Sequence, residues 1–228
     1  MNDTLLVALA MIPALVIAIV FHEVAHGWTA LMLGDPTAKE RNRLSLNPLR
    51  HLDVFGTLIL PGLLLLSGLP AFGWAKPVPV IKQRLNNPRF GMMAVAAAGP
   101  GTNLVLATFG AFALGLLYRA IGPQPGGVAG FAVASLSLFI MINVFLALFN
   151  LLPIPPFDGS HIVEGLLPER AARVYDRLRP FGFPLVFLVL LVIPWLFPDL
   201  GLVERVVLPP VDWVLTKFAV LTAWVAGA

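Results

Sequence analysis

The feature that most constrains this chain is an apolar run from Thr4 to Leu33 that nonetheless carries His22, Glu23 and His26, in the stretch "VFHEVAHGW". A run of about 30 residues is long enough to cross a bilayer core as a helix. Each ionisable group inside such a span costs roughly 2.5–3.5 kcal/mol on insertion scales, so three together call for a function. On an α-helix His22 and His26 lie on one face, one turn apart, close enough to share a single metal ion. Glu23 is rotated about 100° from the first histidine, so it misses the metal and reaches a water beside it, the place of a general base.

Composition decides between a buried core helix and a true span. The chain has 228 residues, is 58% hydrophobic and only 12% charged, and has a mean hydropathy of +0.88. Soluble domains average about a quarter charged, so this is the composition of a membrane protein. Hydropathy predicts about five spans, at 4–33, 90–118, 129–152, 181–198 and 206–226, with a shorter apolar segment at 54–70. The expected fold is an all-α polytopic membrane protein forming one domain over 1–228, with a catalytic core over about 4–165 and further C-terminal spans over 181–226. The N-terminal run lacks a basic n-region and exceeds a signal peptide's apolar stretch, so it is expected to stay as a span. A net charge of +3 without a basic stripe argues against nucleic-acid binding. The chain contains no cysteine, so any metal must be held by His, Asp or Glu.

The segment 54–70 carries Gly56, Pro61, Gly62, Gly68 and Pro70 and is short enough to cross or to dip and return. If it returns, one side collects Lys39, Arg41, Arg43, Arg50, Lys76, Lys82, Arg84, Arg89, Arg170, Arg173, Arg177 and Arg179, leaving Arg119 and Arg205 opposite. Basic loops face the cytoplasm, so the re-entrant arrangement is favoured, with the N-terminus outside.

Catalytic zinc keeps three protein ligands and an open position. Asp158, in "NLLPIPPFDGSHI", is the best candidate for the third: Pro153, Pro155 and Pro156 stop a straight helix there, and the re-entrant topology brings it to the depth of His22 and His26. The plainer alternative is a turn aspartate capping the next helix. A carboxylate beside a zinc-activated water is the chemistry of peptide hydrolysis, with Glu23 as base and then acid.

The motifs "HEVAH", "AGPGTN" at 98–103 and "NLLPIPPFDG" at 150–159 together resemble the site-2 protease family of intramembrane zinc metalloproteases. The stretches "MLGDPTAKERNRLSLNPLRHLD" and "FGWAKPVPV" are similar to its compact prokaryotic branch, and no PDZ-like or nucleotide-sensing stretch accompanies them. The resemblance implies a three-helix catalytic core, Zn²⁺ held by His22, His26 and Asp158, and Glu23 as the catalytic acid/base. It also implies that Asn103 and Asn150 face the active site, where they would bind the substrate backbone or the oxyanion; helix-to-helix glue is the alternative. The implied partners are a transmembrane protein or peptide substrate and membrane lipid, in a multi-pass protein of a prokaryotic cell membrane with its site toward the cytoplasm.

The stretch "GWAKPVPVIK" alternates with period 2, and Pro77 and Pro79 deny N–H groups to one edge while Lys76, Val78 and Val80 keep theirs on the other. This predicts a small edge strand or β-hairpin whose open edge pairs with an extended substrate; protection against aggregation is the plainer reading. His51 and His161 are expected to be structural. Against the endopeptidase stand two rivals: a non-proteolytic metal protein or scaffold, and a transporter, whose charges would be spread over several facing helices.

Overall fold

A computed structural model of the protein describes residues 3–67, 73–122, 125–201 and 203–228. The apolar runs form long helices because nothing in lipid competes for backbone hydrogen bonds, which must be satisfied within the segment. They are α1 (Asp3–Met32), α2 (Pro88–Ile121) and α3 (Gly127–Asn150). After two short polar helices, α4 (Asp158–Leu166) and α5 (Glu169–Asp176), the chain closes with α6 (Leu208–Ala226). Leu5, Val7, Leu9, Ile12, Leu15 and Val16 on α1 are all exposed. A continuous apolar face of that kind is a liability in water and the normal state against lipid. The protein is a multi-pass, all-helical membrane protein.

Among the described residues four helices, against the five spans expected, are long and apolar enough to cross: Leu5–Met32, Pro88–Ile121, Gly127–Asn150 and Glu204–Ala226. The expected span at 181–198 is instead a chain of short pieces, Gly182–Phe187, a π turn at Leu188–Val192 and Ile193–Leu196. Pro194 removes the N–H that would bond one turn back, and the ladder loosens into the wide turn just before it. Hydropathy sums composition and does not register that break.

The segment 54–70 begins as a π turn, Val54–Ile59, continued by Leu60–Leu66, and its last residues, 68–70, lie outside the described residues. Residues 73–81 lie in no helix, and no β-strand or hairpin occurs among the described residues. Two N–H groups of the expected open edge are engaged: Lys76 N–H donates to the His51 carbonyl (2.9 Å) and Val78 N–H to the Glu23 carboxylate (2.7 Å). The acceptors come from a loop and a helix, so these bonds form no ladder.

The contacts within the chain group into two compact units. One holds residues 1–18, 100–151 and 201–228; the other holds 19–99 and 152–200. In the first, Asn103 on α2 is fully buried and donates both to the Ala18 carbonyl of α1 (3.1 Å) and to Asn143 Oδ1 on α3 (2.9 Å). Such polar ties between spans have no water to compete with them. The second unit contains every residue of the site described next.

Candidate metal centre

The second unit holds the last four turns of α1, the first turns of α2 and the start of α4. His22 and His26 follow one another up one face of α1, both buried, with ring centroids 4.6 Å apart and ring planes at 89°. Asp158 is the first residue of α4, one position past the cap residue Phe157, whose side chain makes no cap hydrogen bond. Asp158 Oδ2 lies 3.1 Å from His22 Nε2 and 3.3 Å from His26 Nε2. One donor atom from each of the three residues falls within 4.8 Å of the others.

Zinc ligands at about 2.0–2.2 Å in tetrahedral array stand about 3.4 Å apart, so this spacing fits the ion. Two further observations agree. Asp158 Oδ2 is buried, and despite the short distances it has no partner in hydrogen-bonding geometry, as an oxygen aimed at a cation would be. His26 Nδ1 lies 2.7 Å from the Val95 carbonyl oxygen, which makes Nδ1 the N–H donor and leaves the Nε2 lone pair for the metal.

A wall of the site is backbone. A Cβ on Gly99 of α2 would stand 2.5 Å from His26 Nε2 and 2.6 Å from His22 Cε1, closer than real Cβ contacts come. Only glycine lets α2 approach the two rings this closely.

Glu23 shares the helix but not the face of the donor set, and its Oε2 accepts from Val78 N–H. Lys76 is exposed, Val78 buried and Val80 half-buried. Asn103 and Asn150 belong to the other unit; Asn150 spends its amide on the Leu146 carbonyl of its own helix (2.9 Å). His51 is buried, with Nε2 2.7 Å from the Ser45 carbonyl oxygen. His161 joins another cluster: Glu164 pairs with Lys82 (2.5 Å) and with Arg179, whose Nη1 is 2.9 Å from His161 Nε2. Burial and the Arg179 charge push His161 down to about 4, so it is neutral at pH 7. Gly99, the Val95 carbonyl and Asn143 escaped the sequence reading. The small-residue run "AAAGPG" was the available signal for Gly99; the carbonyl left none.

A polytopic helical membrane protein with a buried His–His–Asp donor set and a glutamate beside it is the framework of a membrane metallohydrolase. Comparison with known proteins gives the class a family. The model of peptidase family M50 matches residues 124–193. The chain is 41% identical over 201 residues to YwhC of Bacillus subtilis, covering 85% of this chain and 87% of that protein. It is 32% identical over 180 residues to Rip2 of Mycolicibacterium smegmatis, covering 77% and 65%. Both relatives are named as zinc metalloproteases. No solved structure matches the chain. The chain belongs to the site-2 protease family, peptidase family M50: it is a zinc metalloprotease of the compact kind.

Proposed function

We propose that this protein is an intramembrane endopeptidase that hydrolyses peptide bonds in transmembrane substrates, with His22, His26 and Asp158 holding the zinc and Glu23 as base and acid. The observation that carries the reading is the convergence, within 4.8 Å, of two donor atoms from a helix otherwise made for lipid with a third from Asp158. Zinc in that position supplies Lewis acidity and brings the pKa of a ligated water near 7. The rest falls to the chain. Val95 fixes the tautomer of His26, so that its free lone pair points inward. Glu23 takes a proton from the attacking water and passes it to the leaving amine, so that neither hydroxide nor an amide anion is set free. Asn103 and Asn150 serve packing in this account, since each has its amide engaged within the helices of its own unit.

The test is cleavage of a panel of transmembrane peptides by the zinc-loaded protein in liposomes. Cuts are expected inside the apolar segment, lost on chelation and restored by zinc. Cuts confined to the water-exposed flanks would overturn the intramembrane assignment.

The cell membrane is the expected location, with the site toward the cytoplasm, because Lys39, Lys82 and Arg173 all belong to the basic set expected on one side. Single cysteines at these three positions, in a chain that has none of its own, should resist a membrane-impermeant label applied to intact cells. Labelling at 82 but not at 39 would establish a crossing by the 54–70 segment.

A further inference from the structure

The segment 74–81 lies against α1 like a strap, and four of its N–H groups are donated to the chain itself. Trp74 donates to the Gly56 carbonyl (3.1 Å) and Lys76 to that of His51 (2.9 Å). Val78 donates to Glu23 Oε2 (2.7 Å) and Ile81 to Asp35 Oδ2 (2.6 Å). Asp35 is fully buried and also accepts from the Thr37 N–H, so that end is anchored within the fold. Burial would raise its carboxyl, but these donors hold it below the usual carboxylate range. In the middle of the strap the Val78 side chain packs toward Gly27, where a Cβ would come within 3.0 Å of Val78 Cγ1.

Arg43 holds the strap from the other side. It is only 8% exposed, and its Nη2 donates to the Lys76 carbonyl at 2.7 Å and reaches that of Pro77 at 3.4 Å. Its Nε is buried without a hydrogen-bond partner, an expense that a cation serving only to bind two carbonyls would not require. The Pro77 carbonyl and the Val78 N–H belong to one planar peptide unit. A guanidinium therefore stands at the oxygen end of that unit and the Glu23 carboxylate at its N–H end. Fixed charges at both ends polarise the peptide dipole in the sense that strengthens each bond.

We propose that Arg43 and the Pro77–Val78 peptide form a positioning device for Glu23: the strap N–H pins Oε2, and Oε1 is left at a fixed angle toward the reacting water. Glutamate has three rotatable side-chain bonds, and a general base must sit within about 2.6–3.2 Å of the proton it takes. One anchored oxygen removes most of that freedom. Arg43 and Val78 are positioning residues, acting through Glu23 and touching neither substrate nor metal. The inference rests on Glu23 being the base.

The experiment uses the full-length, zinc-loaded protein, a transmembrane peptide substrate and the variants Val78→Pro, Arg43→Ala and Arg43→Lys. A backbone ester at residue 78, made with the α-hydroxy acid of valine, removes only the N–H and keeps the side chain, should proline disturb the fold. Positioning predicts full zinc content, unchanged KM and a kcat lower by about 10–100-fold, the usual cost of a misplaced catalytic group. Arg43→Lys should recover part of the loss, and Val78→Pro combined with Arg43→Ala should lose no more than the worse single variant, because both break one linkage. In a Glu23→Gln background the strap variants should change the residual rate no further. Unchanged kcat in the ester and in Arg43→Ala would overturn the inference, as would additive losses. A raised KM with kcat intact would also overturn it, returning the strap edge to the substrate. These failures are separable from failure of the Glu23 reading, which requires that Glu23→Gln itself cut normally.

Discussion

Glu23→Gln is expected to lower kcat by at least about a thousandfold while the protein keeps as much zinc as the parent. Gln has nearly the same shape and helix propensity, and the three donor residues are left untouched. What it loses is the ability to take a proton. General acid–base assistance is worth about 10²–10⁴-fold, and a group that serves first as base and then as acid belongs near the upper end. The amide can still accept from Val78 N–H through its oxygen, so the strap stays in place. Zinc analysis and single-turnover cleavage on the same preparation decide the matter. Brisk cleavage by a zinc-loaded Glu23→Gln protein would sink the assignment of the base.

Asp158→Ala is expected to lose both zinc and activity, and Asp158→Asn most of both. His22 and His26 alone leave two ligands, below the three that catalytic zinc sites use. The carboxylate is also the only negative member of the donor set. Its removal leaves two buried imidazoles with no anion between them, where Asp158 Oδ2 now sits 3.1 and 3.3 Å from their Nε2 atoms. Helix α4 itself should survive, because alanine favours a helix at least as well as aspartate. Circular dichroism unchanged with zinc absent is the expected signature. Full zinc in Asp158→Ala would mean that another residue completes the set, with His51 and His161 the first to examine.

Much of the candidate metal centre could be proposed from the sequence because its signals are local or chemically costly. Two histidines one helical turn apart in an apolar run stand out whatever the fold, and an aspartate just after three prolines marks where a chain stops being a straight span. The long helices followed from hydropathy for the same reason. What sequence could not supply were partners chosen by tertiary structure. The prolines at 77 and 79 correctly indicated which N–H groups of the strap exist, but nothing local indicates that one of them meets a carboxylate 55 residues earlier in the chain. Hence an occupied edge was read as an open one. Asn103 drew notice because a polar group in a span demands a reason, and the sequence alone could not show that it bonds Asn143 and the Ala18 carbonyl. The interrupted helix after Gly182 was read as a fifth span because hydropathy does not weigh a π turn before Pro194.

The bare Cα of Gly99 against the two histidine rings gives the metal centre an unusual dependence. One side of the space beside the two imidazoles is bounded by main chain, which cannot change rotamer to make room for a metal held there. Metal affinity is therefore tied to the axial register of α2 against α1, and a slip of one residue would present the side chain of Ala98 or Pro100 to the imidazoles in place of an empty surface. Zinc occupancy would then act as a gauge of how two membrane helices are seated, so that substitutions or lipids that shift their seam could silence the enzyme without touching a ligand.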